Sequence, residues 1–230
     1  MLSVVLAAYN GGIYIHDQIA SILPQLSTGD ELIVSDDGSS DNTMQVVAAF
    51  NDTRIKLVEN KGPHGIVSNF ESALRMVRGD IVFLCDQDDL WTPNKVQVCL
   101  KALENADLIV HDLMFLTADG CVSDVGFFKS RNSGPGFWKN LYKNGFMGSC
   151  MAFKRSVLDF ALPFPKDILW HDMWIGLMAE RKCKTLFIPE QLLYYRRHGD
   201  NASPTGDKSS FSLLKQLHYR WVMLKNALKR

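Results

Sequence analysis

The 230-residue chain carries 25 Lys+Arg and 25 Asp+Glu, so it has no net charge and no electrostatic bias towards nucleic acid. Hydrophobic residues make up 47% and charged residues 22%, the composition of an ordinary soluble domain with one sizeable core. The five cysteines form no C-x-x-C pair and the first residues lack a basic region, which argues against a disulfide framework, a cysteine zinc site and a secretory signal. No apolar run is long enough to span a bilayer.

Leu2–Ala8 reads as a buried strand, broken by the turn residues Tyr9-Asn10-Gly11-Gly12. Residues 13–26 have helical spacing through Ile15, Ile19, Ile22, Leu23 and Leu26. A second strand over 31–35 ends in Asp36-Asp37-Gly38. A helix over 43–50 follows, with Asp41 as its capping residue. Residues 54–59 form a third strand, 60–65 a glycine-rich loop and 66–78 a third helix. The fourth strand, 81–85, runs directly into Asp86-Gln87-Asp88-Asp89. This β-α-β-α-β-α-β alternation predicts an α/β fold with a mainly parallel, three-layer α/β/α sheet. Ligands of such sheets lie beyond the carboxyl ends of the strands. Three of those ends carry Tyr9-Asn10, Asp36-Asp37 and the 86–89 cluster.

Three carboxylates within four positions repel one another. Hard divalent cations offset that cost, and Mg²⁺ or Mn²⁺ is often held by one or two carboxylates plus substrate phosphates. The alternative is an acidic turn in which Asp88 or Asp89 caps the next helix.

The second half is less regular. Helices are expected over 93–105, 137–144, 155–162 and within 167–180, the last with Trp170, Trp174, Ile175 and Met178 as its apolar face. Strands are expected over 106–112, 113–117, 121–125, 149–153, 185–189 and 192–196, with a hairpin turn at Asp119-Gly120. Residues 130–136 read as a loop able to close over a ligand, and 200–210 as a polar linker. Residues 212–230 form a basic amphipathic helix.

The runs Val4-Val5-Leu6-Ala7-Ala8-Tyr9-Asn10, Val34-Ser35-Asp36-Asp37-Gly38-Ser39-Ser40-Asp41-Asn42-Thr43 and Asp86-Gln87-Asp88-Asp89 resemble the family-2 nucleotide-sugar glycosyltransferases of the GT-A fold. The likeness extends through Asn60-Lys61-Gly62 and Asn69 to His171-Asp172 and Tyr195-Arg196-Arg197-His198, covering roughly residues 1–200. The acidic motif and the Tyr-Arg-x-His ending look most like bacterial rhamnosyltransferases of surface-polysaccharide and cell-wall assembly. The resemblance divides the chain into a GT-A domain (1–200), with a nucleotide-binding half (1–112) and an acceptor-binding half (113–200), and a linker plus helix (201–230). It implies an inverting, metal-dependent transfer from a UDP- or dTDP-sugar to a glycan or polyprenyl-linked acceptor.

It also implies roles. Ala7, Ala8 and Tyr9 would line the base pocket, with Asn69 also on the nucleotide. Asp37 would accept the N3–H of uracil or thymine, which an acceptor-only carboxylate can select. Asp86 would contact ribose or the waters of the ion. Asp88 is the first choice as ligand to Mn²⁺ or Mg²⁺, with Asp89 and His198. Arg196 and Arg197 suit phosphate. Asp172 would be the catalytic base, its residue-level alternative being a helix cap. Trp170 and Trp174 flank it as acceptor candidates, against the commoner fate of core packing. The helix within 211–230 suits either an anionic membrane surface or docking on the domain or a partner subunit. A cytoplasmic enzyme, peripheral on the inner face of the plasma membrane, is the expected setting. Two other functions compete: a sugar-nucleotidyltransferase, disfavoured because the loop after the first strand has no Lys or Arg, and a non-catalytic binding module, which would not need Asp172.

Overall fold

The computed structural model describes residues 1–117, 120–123, 125–197 and 212–230. The first half follows the expected alternation: β1 (Leu2–Ala8), α1 (Ile15–Ile22), β2 (Glu31–Asp36), α2 (Thr43–Ala48), β3 (Ile55–Glu59), α3 (Ile66–Leu74) and β4 (Ile81–Asp86). Val4, Val5, Leu6, Ile33, Phe83 and Leu84 have no exposure at all, as strands covered on both faces require. After β4 come β5 (Leu90–Trp91), α4 (Lys95–Leu103), β6 (Leu108–Leu116), α5 (Phe127–Arg131), α6 (Phe137–Tyr142), β7 (Met151–Lys154), α7 (Leu158–Ala161), α8 (His171–Lys182), β8 (Thr185–Arg196) and α9 (Leu213–Lys229).

All eight strands join one sheet in the order β3-β2-β1-β4-β7-β6-β8-β5. The β3-β2-β1-β4 block and the β6-β8 pair are parallel. β7 runs antiparallel between β4 and β6, and β5 pairs antiparallel with β8. The chain order reverses at β1, the kind of switch point where a crevice opens. Register makes the crevice level: Ala8 pairs with Asp36, Ala7 with Asp86, and Asp36 with Glu59.

The second half departs from expectation in β5 and α5, neither of them expected, the latter taking in Ser130 and Arg131 of the expected loop, and in three further places. Residues 106–112 and 113–117 belong to one strand, β6, and 185–189 and 192–196 to one strand, β8. Their mutual register shifts at His111/Asp112 and Asp112/Met114 break the two-residue alternation by which continuous strands are read. The strand expected over 121–125 reduces, among the described residues, to a single bridge between Leu116 and Val122. Asp119 of the expected hairpin turn, the 200–210 linker and His198 lie outside the described residues.

The middle of α8 is buried on every side: Met173, Trp174, Ile175, Leu177, Met178 and Ala179 are all core. Gly176 in its middle admits the Phe146 ring, which a Cβ there would meet at 2.5 Å. All five cysteines are free thiols. Among the described residues, no helix is long and apolar enough to cross a membrane.

Candidate active site

The loop after β1 is stitched to the segment after β2. Asn10, in the left-handed region at φ 48°, donates its N–H to Ser39 Oγ at 2.9 Å and accepts from Ser40 N–H at 2.8 Å. The Gly11 and Gly12 amides donate to Thr43 Oγ1 and Asp41 Oδ2 at 2.9 and 3.0 Å. Burial alone would raise the Asp41 carboxyl, but hydrogen bonds from Thr43 and Gly12 outweigh it and hold it below its usual value. The N-cap position of α2 is Asn42 and not the expected Asp41, but Asp41 accepts the Thr43 N–H at 2.9 Å and staples this loop. Asp36 is likewise structural, accepting from the N–H groups of Gly38 and Ser39 at 3.1 and 2.9 Å.

Asp37 faces the third loop. Its carboxylate accepts from Asn60 Nδ2 at 2.6 Å and from Gly65 N–H at 2.8 Å, and His64 Nδ1 lies 2.9 Å from Oδ2. The His64 ring meets Tyr9 edge-on at 4.7 Å, and Tyr9 is half-exposed. An aromatic corner thus stands beside the Asp37 carboxylate, with Ala7 and Ala8 buried behind it. Asn69 is buried beneath, its amide donating to the carbonyls of Ala8 (3.2 Å) and Ser35 (2.9 Å). It ties β1 to β2 at the crevice floor.

Gln87 joins this corner to the acidic turn. Its side-chain amide accepts from Tyr9 N–H at 2.8 Å and donates to Tyr9 O at 3.0 Å. Gly11 is required here, because a Cβ would sit 2.2 Å from Gln87 Oε1. β5 and β8 hold the other side of the turn: Arg196 N–H donates to Asp89 Oδ1 at 3.3 Å and Arg196 Nε to Asp88 O at 3.2 Å. Arg197 lies beyond, its guanidinium 4.2 Å over the Phe115 ring.

Asp86 lies within the fields of Asp88 and Asp172, and Asp89 within those of Asp88 and Asp86. Burial first, then the charges of Asp88 and Asp172, push Asp86 up to about 7, with Lys95 opposing. Burial and the charges of Asp88 and Asp86 raise Asp89 well above the usual carboxylate range. Asp172, in the first turn of α8, is pushed up to about 6 by burial, against hydrogen bonds from the N–H groups of Met173 and Gly148 and from the Asn144 side chain. Gly148 permits that approach, since a Cβ there would be 3.0 Å from His171 Nε2. His171 itself is core, stacked on Phe70 at 3.9 Å, and burial lowers it to about 3.

Among the described residues, no three His, Cys, Asp or Glu side chains converge as a complete metal cage. The oxygen donors present nevertheless suit a hard cation completed by substrate phosphates and water. Asp89 Oδ2 is buried with no hydrogen-bond partner, and the repulsion among the carboxylates is what a divalent ion relieves.

Trp174 corrects the acceptor expectation. It has no exposure, donates Nε1–H to Ala161 O at 2.8 Å and is core, because α8 has no solvent face there. Trp170 remains partly exposed and meets Tyr219 of α9 edge-on at 5.9 Å. Three participants escape sequence reading. Gln87 stands between aspartates as an apparent spacer. Lys95 is fully buried, donating to Ser149 O at 2.7 Å and lying 4.3 Å from the Trp91 ring centroid. Ser149 carries no motif. Only Lys95 leaves a signal, a cation among the apolar positions of α4.

Comparison with known proteins agrees with this geometry. The model of the family described as glycosyl transferase family 2 matches residues 3–161. An uncharacterised glycosyltransferase of Nostoc sp. is 28% identical over 92% of this chain and 70% of its own. The Escherichia coli UDP-Glc:alpha-D-GlcNAc-diphosphoundecaprenol beta-1,3-glucosyltransferase WfgD is 37% identical over 45% of this chain, which covers 41% of that enzyme's length. Solved structures that share the fold include two bacterial proteins. Staphylococcus aureus TarS 1–349 in complex with UDP-GlcNAc superposes with TM-score 0.72 at 16% identity, over 98% of this chain and 66% of that one. Mycobacterium tuberculosis glucosyl-3-phosphoglycerate synthase in complex with Mn²⁺, UDP and phosphoglyceric acid gives 0.65 at 20% identity, over 99% and 78%. With its crevice at the ends of β1, β2 and β4 and its family match over more than half its length, the chain belongs to glycosyl transferase family 2 and is a glycosyltransferase of the GT-A fold.

Proposed function

We propose that this glycosyltransferase moves a hexosyl or deoxyhexosyl group, with inversion, from a UDP- or dTDP-sugar to a hydroxyl of a polyprenyl-linked saccharide at the inner face of the plasma membrane, in surface-polysaccharide assembly. The observation that carries it is the joint placement of the Tyr9–Asp37 corner, the acidic turn and Asp172 along one crevice. In this reading the base lies against Ala7, Ala8 and Tyr9, and its N3–H donates to Asp37, whose carboxylate orientation is held by Asn60 and Gly65. Asn69 acts by positioning, since its amide holds the strand ends. Asp88, with Asp89, and with His198 completing the set, would hold Mn²⁺ or Mg²⁺, and Asp86 would contact the ribose. The cation, when bound, neutralises charge on the departing diphosphate. Arg196, bonded to the Asp88 carbonyl, and Arg197 beside it would pair with that group. Asp172 takes the acceptor hydroxyl's proton as the new C–O bond forms at the anomeric carbon and the bond to the diphosphate breaks. A carboxyl held near 6 ionises at neutral pH yet remains basic enough for that task. Trp170 would pack on the acceptor sugar. The UDP-Glc named for the Escherichia coli relative WfgD favours UDP over dTDP.

The nucleotidyltransferase reading loses further ground, because the Gly11 and Gly12 amides are occupied by Thr43 and Asp41 and do not face a triphosphate. The test is transfer from radiolabelled UDP-glucose and dTDP-rhamnose to GlcNAc-diphosphoundecaprenol, with Mn²⁺ and with chelator. Metal-independent transfer, or synthesis of a nucleotide sugar from a triphosphate, would sink the proposal.

A further inference from the structure

The last helix has two apolar faces. Val222, Met223 and Ala227 of α9 are buried against the domain. On the other side Leu214, Leu217, Trp221 and Leu228 recur at three- and four-residue spacing, one stripe of a helix, and are 55–81% exposed. α6 packs beside α9 and adds Trp138 and Tyr142, 68% and 75% exposed. Between the helices lies a groove of about 320 Å³ that includes Trp138, Tyr142, Arg220 and Trp221. Large apolar side chains gathered this way mark a docking face.

Charge selects the occupant. Residues 212–230 contain five Lys or Arg and no acidic residue; Arg230 is turned to the domain carbonyls of Phe160 and Ala161, which leaves four, and Lys139 and Lys143 lie in and after α6. Cations sit at the level of the rings: Lys225 Nζ is 4.6 Å from the Trp221 ring centroid, and Arg220 donates to Tyr142 O at 2.8 Å with its guanidinium 5.6 Å from that ring. A second copy docked through this face would oppose like charges. An anionic lipid surface complements them, and Trp and Tyr beside Lys and Arg suit the headgroup layer. The 17 residues of α9 are too few and too basic to cross a bilayer, so the helix lies in the interface plane.

We propose that α6 and α9 together form one docking face for anionic phospholipid. It deepens the reading of a lipid-linked acceptor and rests on it. The face adjoins the chemistry: Trp170, two residues before Asp172, packs on Tyr219 of α9, so an acceptor whose prenyl chain stays in the bilayer is presented beside the base.

The experiment is sedimentation of the full chain with phosphatidylcholine vesicles, with and without phosphatidylglycerol, across a salt series. Binding to the anionic vesicles alone, weakening with salt, is expected. Lys225→Ala and Lys229→Ala should each weaken it about fivefold. Trp138→Ala should weaken it although α9 is untouched, and metal-dependent hydrolysis of the donor should stay unchanged in all three variants. Wild-type protein left in the supernatant, equal binding to neutral vesicles, or a dimer by light scattering that shields Trp221 from quencher would each overturn the proposal. Wild-type binding by Trp138→Ala would overturn the composite face. Vesicle binding without transfer to any prenyl-linked saccharide would support the face and overturn the acceptor reading.

Discussion

A carboxylate in the first turn of a helix ordinarily ionises readily, because the unpaired N–H groups and the helix dipole favour negative charge. Asp172 has that position and accepts the Met173 N–H at 2.6 Å, yet burial prevails and lifts it to about 6. A base works only when deprotonated, so kcat/KM should fall about tenfold per pH unit below about 6 and level off above neutrality. Asp172→Asn should cut kcat by about 10²–10⁴-fold with UDP affinity unchanged by calorimetry. A full-activity Asn variant would remove Asp172 from the chemistry. Gln87 acts through geometry. Gln87→Ala deletes two hydrogen bonds to Tyr9, each worth about 1 kcal/mol, and should weaken nucleotide binding while lowering the melting temperature by about 4–8 °C.

At the level of elements, Gly176 reverses a common rule. Gly→Ala inside a helix usually stabilises by about 1 kcal/mol. Here a Cβ would meet the Phe146 ring at 2.5 Å, and that ring is 2% exposed with nowhere to move. Overpacking costs about 1–3 kcal/mol, so Gly176→Ala should lower stability in urea titration, and a stabilised variant would show that Phe146 can give way. α8 also explains why the second half resisted sequence reading. A helix whose middle is buried all round has no polar face there to set its phase, so Trp170 and Trp174 look equivalent as sequence, although one ends against α9 and the other inside the core. β6 and β8 failed for a different reason, since their register shifts interrupt a continuous strand's pattern. In the first half each parallel strand is a short apolar run closed by turn residues. There the elements, and the strand ends that carry Asp37 and the acidic turn, are legible from sequence, whereas Gln87 and Ser149 act through partners distant in the chain and leave no local mark.

The whole molecule is closed at the end of the sheet opposite the crevice. Glu31, 1% exposed, accepts from Ser3 Oγ at 2.5 Å, from Arg78 N–H at 2.8 Å and from Lys56, joining β1, β2, β3 and the turn before β4. Burial alone would raise its carboxyl, but these partners prevail and hold it below its usual value. A depressed folded value contributes stability that is present above the unfolded value and lost as pH falls through the folded one. Unfolding free energy should therefore decline below about pH 4.5 partly through this residue. Glu31→Gln should cost about 2 kcal/mol at neutral pH, given charge-assisted hydrogen bonds of about 1.5–3 kcal/mol, and should flatten that acid limb. An unchanged limb would assign acid sensitivity to other carboxylates.

The paired hydrogen bonds between Gln87 and the Tyr9 backbone have a thermodynamic corollary. They make the aromatic corner and the acidic turn a single body, so ordering either end orders both. Two halves of a nucleotide bound separately, uridine at one end and pyrophosphate at the other, should then help each other. Such coupling is reciprocal by necessity: each fragment must improve the other's affinity by the same factor. In Gln87→Ala that factor should fall towards one.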